Sequence, residues 1–304
     1  MTRKILVTGS SGLVGTAVTA ALRVRGIETV PFDIRAAGEA HRDVRNPNQV
    51  RQVIPRIDGV VHLAAVSRVI WGEQDPEGCW ETNVGGLQNV LDGITEAGHR
   101  PWMIFASSRE VYGQPSRLPA TEGSPKAPVN VYGRAKVRGE ELIENARTAG
   151  LRACTVRLSN VFGSNTDHAD RVVPAFARAA AMGETLRVDG ADQTFDFTHV
   201  EDVTRGITTL AEMLADGETP PPPIHLVTGR PTTLGELAEL AIRLGRSGSS
   251  IRYAPPRDFD VAQFFGAPDR ARSLLGWRPS VSVEEGMTRL IHAFEFDQAE
   301  EVEP

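Results

Sequence analysis

Cysteine is nearly missing from this chain of 304 residues. Cys79 and Cys154 are the only two, which excludes a disulfide framework and a cysteine-based metal site. The seven histidines never fall three to five residues apart, so sequence-local His pairs for a metal are missing as well. Positive charge is in deficit: Lys+Arg total 33 against Asp+Glu 39, a formal net charge of −6. Nucleic acid is therefore not expected as the main partner, since such surfaces are usually net basic. No apolar run approaches the roughly 18 residues that span a bilayer. The N-terminus carries basic residues but only the three-residue apolar stretch Ile5-Leu-Val7, shorter than a secretory signal requires. The composition, 40% hydrophobic and 24% charged, is that of a globular protein, and the length suffices for one large domain or two modest ones. The expectation is a soluble, cytoplasmic, metal-free protein.

The first half alternates short β-rich runs with longer amphipathic stretches. Strands are expected at Ile5–Thr8, Ile27–Asp33, Gly59–Leu63, Trp102–Ser107 and Arg152–Leu158. Helices are expected over Leu13–Arg25, closed by Gly26, and over Cys79–Ala97, Val131–Ala149 and Val172–Met182. Such alternation predicts an α/β fold, a doubly wound parallel sheet with helices on both faces. Beyond residue 160 the rhythm loosens, and Thr219-Pro-Pro-Pro-Pro223 reads as a stiff connector. The acidic tail Asp297–Pro304 reads as frayed.

Gly9-Ser-Ser-Gly12-Leu-Val-Gly15 lies directly between the first expected strand and the first helix. A turn of this composition lets backbone N–H groups approach a pyrophosphate at a helix N-terminus, and Gly15 lets helix and strand pack closely. Asp33, ending the second strand, is placed to accept hydrogen bonds from adenosine ribose hydroxyls, and it would repel a 2′-phosphate. NAD is thereby favoured over NADP, with Arg35 two residues on keeping the second open.

Lysine and tyrosine are scarce, three of each, so chance would supply roughly 0.03 Tyr-x-x-x-Lys pairs. Tyr132-Gly-Arg-Ala-Lys136 is one, inside an expected helix where a spacing of four puts both side chains on one face. A phenol normally titrates near ~10. A neighbouring ammonium, with a positive nicotinamide ring, would favour the phenolate and make it a base. Ser108 follows the fourth strand, at the carboxyl edge where open α/β sheets bind ligands, and is placed to share the substrate oxygen with Tyr132.

The glycine turn, Asp33, Ser108, Tyr132 and Lys136 together resemble the extended short-chain dehydrogenase/reductase family, in its NAD-dependent epimerase/dehydratase branch acting on nucleotide sugars. The resemblance runs along nearly the whole chain. It implies a Rossmann-type NAD-binding domain over 1–160, to which part of 195–215 returns, and a smaller α/β substrate-binding domain over 161–304. It also implies cofactor contacts from Gly9, Gly12, Leu13, Val14, Gly15, Asp33, Tyr132 and Lys136. Asp43 and Val44 of Arg42-Asp-Val-Arg-Asn46 would lie beside the adenine, with Leu63, Ala64 and Ala65 at the third strand's end and Asn83 on the following helix. Asn160, in Arg157-Leu-Ser-Asn-Val-Phe-Gly163, would approach the substrate. Asp196-Phe-Thr-His-Val-Glu-Asp202 and Leu274-Leu-Gly-Trp-Arg-Pro279 resemble two C-terminal signatures, and a homodimer through the Tyr-Lys helix is implied.

Three positions depart from that pattern. Arg109-Glu110 stands where 4,6-dehydratases carry Asp-Glu; Glu110 could act as a base, but an arginine cannot deliver a proton near neutral pH. Phe195 replaces the arginine that usually contacts the substrate diphosphate, and Arg257 is the expected substitute. Trp71-Gly-Glu73 occupies a loop that often carries smaller polar residues. The expected activity is transient oxidation of a sugar hydroxyl with return of hydride to the opposite face, an epimerisation. The alternatives are a dehydratase using Glu110, a net dehydrogenase or reductase, and, remotely, a dinucleotide-sensing protein without catalysis.

Overall fold

The computed structural model describes residues 3–245, 248–257 and 261–302. From the N-terminus come β1 (Lys4–Thr8), α1 (Leu13–Val24), β2 (Glu28–Phe32), α2 (Pro47–Val53), β3 (Gly59–His62), α3 (Val69–Gln74), α4 (Pro76–Trp80) and α5 (Gly86–Glu96). Next are β4 (Trp102–Ser108), α6 (Val131–Thr148), β5 (Ala153–Leu158), β6 (Asn160–Phe162), α7 (Val172–Met182), β7 (Leu186–Asp189), β8 (Thr194–His199) and α8 (Val200–Ala215). The last are β9 (Ile224–Leu226), β10 (Pro231–Thr233), α9 (Leu234–Leu244), β11 (Ile251–Ala254), α10 (Asp269–Leu275) and α11 (Val283–Val302).

The main sheet has the order β2-β1-β3-β4-β5-β9, all parallel. Its inner strands are apolar on both faces because both are covered. Ile5, Val7, Val61, Ile104 and Val156 pack with Val18 and Leu22 of α1 and with Val203, Ile207 and Leu210 of α8. Leu6, Val60, Met103 and Phe105 face the other way, onto α2, α5 and Ile143 of α6. Pro31 is tolerated because β2 is the sheet's edge, where a missing N–H breaks no ladder. The sheet's sixth strand, β9, comes from past the proline run, in a stretch with no strand expected from the sequence.

A second core, centred on Phe162, Phe176, Phe195, Phe197, Leu237 and Leu290, lies under the sheet β10-β8-β6 and the pair β11-β7. The two C-terminal signatures meet at Asp202 on the first turn of α8. Its carboxylate accepts from Ser280 N, Ser280 Oγ and Val281 N, while its carbonyl accepts from Trp277 Nε1 at 2.8 Å. Two local expectations are corrected. The helix expected over Cys79–Ala97 is interrupted by a wide turn at Glu81–Gly85, and the tail expected to fray from Asp297 continues α11 as far as Val302.

Candidate active site

The chain crosses from β1 to β2 on one side and to β3 on the other, which opens a crevice at the carboxyl ends of β1 and β3. The glycine turn fills its floor. Gly9 adopts φ +70°, and a Cβ there would press within 2.7 Å of Ala64 N; a Cβ on Gly15 would overlap the Gly9 carbonyl oxygen. Leu63, Ala64 and Ala65 thus run against the turn. Helix α1, with Leu13 and Val14 in its first turn, has Gly12 as N-cap and no side-chain cap, so its leading N–H groups face outward for an anion. Asp33 is buried, its carboxylate accepting from Ser11 N at 2.9 Å and Arg35 N at 2.8 Å. Each oxygen keeps a lone pair for a ribose hydroxyl. A cradle that side chains would block, an open helix start and a buried acceptor together fit a dinucleotide.

The residues assigned to the adenine side follow alongside. Arg42 N donates to Asp33 O, Asp43 ion-pairs with Arg45 at 2.6 Å, and Val44 is buried against Gly86. Asn83 is buried on the wide turn Glu81–Gly85. Its Oδ1 accepts from Val66 N at 2.7 Å and its Nδ2 donates to Val66 O at 3.1 Å, so it holds the loop after β3 in shape.

Ser108, Glu110, Tyr132 and Lys136 come together at the end of β4. Ser108 caps the short turn Arg109–Tyr112, accepting from Glu110 N at 3.2 Å. Helix α6 starts at Asn130, whose Oδ1 accepts from Gly133 N and whose Nδ2 donates to Glu110 Oε2 at 2.8 Å. Trp71-Gly-Glu73, expected in a loop, lies on α3, and Val131 N donates to Glu73 Oε1 at 2.7 Å, which gives Glu73 a role in seating the helix. Asn130 is not among the residues marked in the sequence, and Glu73 is marked there only as part of the departing segment Trp71-Gly-Glu73. An Asn before an apolar helical pattern is a capping signal that could have marked the first; nothing local ties the second to the helix.

Burial pushes the Tyr132 phenol up to about 12, with the Ser108 hydrogen bond and the Arg171 charge pulling down and Glu110 pushing up. Burial brings the Lys136 ammonium down to about 8, and its Nζ donates to Ala106 O at 2.8 Å. The Lys136 ammonium lies 5.7 Å from the centre of the Tyr132 ring, on the same helix face.

Glu110 is buried, with Oε1 paired to Arg109 Nη2 at 2.9 Å and Oε2 to Asn130. The Arg109 guanidinium stacks 4.6 Å from the centre of the Phe195 ring. Across the mouth, Arg68 pairs with Asp170 at 2.6 Å and Arg171 donates to Ser67 Oγ at 3.3 Å, while Trp71 meets His168 edge to face. Arg68 keeps a buried Nε without a hydrogen-bond partner, whereas the Arg171 Nε pairs with Asp167 at 3.4 Å. Arg257 is exposed, and its charge reaches Arg68; Asp258–Asp260, next to it, lie outside the described residues. Asn160 opens β6, half-buried and in register with Phe197. Arg68 and Arg171 were not anticipated, because two arginines far apart in sequence carry no signal of their proximity. Among the described residues no cluster of metal-ligating side chains occurs, and no helix is long and apolar enough to cross a membrane.

The chain is similar along nearly its whole length to known proteins. It is 30% identical over 311 residues to a UDP-glucose 4-epimerase of Streptomyces lividans, covering 92% of each chain. It is 29% identical to UDP-glucuronic acid decarboxylase 1 of Danio rerio, covering 96% of this chain and 72% of that one. Its fold matches a UDP-glucose 4-epimerase crystallised with UDP-glucose from Thermotoga maritima, with a TM-score of 0.88 and 27% identity over 97% of this chain and 99% of that one. The family model described as NAD dependent epimerase/dehydratase matches residues 5–224, from the first buried strand to the last strand of the main sheet. With the glycine cradle, Asp33 and the Ser108–Tyr132–Lys136 group all inside that span, the chain belongs to the NAD-dependent epimerase/dehydratase family and is an enzyme of that type.

Proposed function

We propose that this enzyme epimerises a nucleotide sugar, binding NAD over the glycine turn and the sugar against Ser108 and Tyr132. The observation that carries this reading over a dehydratase is the state of Glu110. A dehydratase base must be free to take a proton from carbon, whereas Glu110 is buried with one oxygen on Arg109 and the other on Asn130. Epimerisation needs no such base.

Tyr132 takes the proton of the reacting hydroxyl, and Ser108, whose hydroxyl pulls the Tyr132 phenol down, fixes where that oxygen sits. When bound, NAD supplies the two-electron acceptor and donor for the sugar carbon and a positive charge beside Tyr132. Lys136, anchored to Ala106 O, and Arg171 add to that charge, and burial of the whole group keeps water from the oxidised sugar. Gly9, Gly12 and Gly15 with Asp33 hold the dinucleotide, Asp43 and Val44 flank its base, and Asn160 lies on the substrate side. The diphosphate, for which Phe195 offers no donor, is received by Arg171 and Arg257, with Arg68 behind them; the buried Nε of Arg68, without a hydrogen-bond partner, supports this. Residues 1–160 serve the cofactor and most of 161–304 the sugar nucleotide. A homodimer through the helix carrying Tyr132, in the cytoplasm, belongs to the same reading, and sedimentation of the purified protein tests the dimer.

The test is a panel of nucleotide sugars scored for isomer exchange without added cofactor. Tyr132→Phe is expected to keep the fold and the bound NAD while losing most turnover. Wild-type exchange by that variant, or product that has lost water, sinks the reading.

A further inference from the structure

Arg109 has no counterpart in the chemistry just described, yet it is among the most committed side chains of the site. Its side chain is 11% exposed. The guanidinium carbon lies 4.6 Å from the centre of the Phe195 ring and Nη2 is held by Glu110, so the position of the guanidinium is set before any ligand arrives. Nη1, with two N–H donors, is buried and has no partner. A buried donor left unpaired is costly, and an arginine held in one orientation is suited to a planar anion.

Its connections say which part of a substrate it meets. Arg109 directly follows Ser108, and it pairs with Glu110, which Asn130 ties to the first turn of the helix carrying Tyr132, so the guanidinium is assigned to the sugar end of the site. The cations suited to a diphosphate, Arg68, Arg171 and Arg257, come instead from the β3–α3 loop, the start of α7 and the chain after β11. Glu110 cannot serve the sugar as a counter-charge, because both of its oxygens are engaged.

We infer that Arg109 is a specificity-determining residue that selects a sugar bearing a carboxylate, a uronic acid, through Nη1. The inference rests on the nucleotide-sugar reading and names the class of sugar within it. Charge-assisted pairing to a carboxylate exceeds what a neutral hydroxymethyl group offers the same donor. The Phe195 ring, in the position from which an arginine is missing, serves as the platform that holds Arg109.

Equilibrium titration of the wild-type holoenzyme with UDP, UDP-glucose and UDP-glucuronic acid at one ionic strength tests this. UDP-glucuronic acid should bind at least tenfold more tightly than UDP-glucose, and in Arg109→Met, checked for fold by its retained NAD, the ratio should fall to near one. Equal wild-type affinities for the two sugars overturn the inference without any variant. A preference that survives in Arg109→Met also overturns it and assigns the selection to the other arginines. If neither the sugars nor UDP bind, the nucleotide-sugar reading fails and the inference falls with it.

Discussion

Around the glycine turn the protein offers main chain: leading N–H groups of α1, a glycine in positive φ, and contacts so close that no Cβ fits between Gly9, Gly15 and Ala64. Around Tyr132 it offers side chains instead. Arg68 and Arg109 each hold a buried nitrogen without a hydrogen-bond partner, steered by Asp170, Glu110 and the Phe195 ring, and Arg171 is held through its Nε by Asp167 at 3.4 Å. The first arrangement suits a ligand portion that is always the same, since its donors are main-chain N–H groups that every residue but proline supplies alike. The second suits a portion that varies among relatives, since one residue exchanged for another changes which charge is met and leaves the sheet intact.

Breaking the backbone region should have the largest effect. Gly15→Val would drive a branched side chain into the Gly9 carbonyl, and neither segment has a flexible end to give way. NAD retention after desalting, read by absorbance, should be lost altogether, with a fall in stability of about 1–3 kcal/mol in chemical denaturation. A variant that keeps its cofactor would mean the turn is not the cradle described.

Asp33→Ala should act less severely, weakening NAD binding by about 1–3 kcal/mol, the range for losing hydrogen bonds to a charged acceptor. Because the same carboxylate ties Ser11 to Arg35, some loosening of the turn is included in that cost. Calorimetric titration with NAD and NADP should also show weaker discrimination between them. Unchanged NAD affinity would remove Asp33 from the site.

The smallest change sharpens the contrast at the side-chain end. Arg171→Gln should weaken UDP-sugar binding about tenfold, ~1.4 kcal/mol, while NAD binding stays as in the wild type. Arg257→Ala should cost less, because that arginine is exposed and water screens its charge. If Arg257→Ala is the more damaging, the diphosphate sits farther out than Arg171.

The chemistry of the site was legible where it is local. Gly9 to Gly15 is one turn, Tyr132 and Lys136 are one helical turn apart, and Ser108 ends a strand, so each could be placed from spacing alone. Asn83 shows the limit. Its position on the helix after β3 was readable, but its hydrogen bonds to Val66 arise only when the wide turn at Glu81–Gly85 brings the two segments together.

What the sequence determined by itself was the alternation of buried strands and helices, the cradle, and the Tyr-Lys pair, because periodicity and steric permission act over a few residues. Tertiary structure decided the rest. It added Ile224–Leu226 to the main sheet, since a three-residue strand has too little pattern to announce itself. It also laid Arg109 on Phe195, 86 positions away, closed Glu110 between Arg109 and Asn130, and gathered Arg171 to Tyr132. A charged side chain buried among others takes its partners, its protonation and its use from whichever segments the fold packs beside it, and none of those is written in its own neighbourhood of the chain.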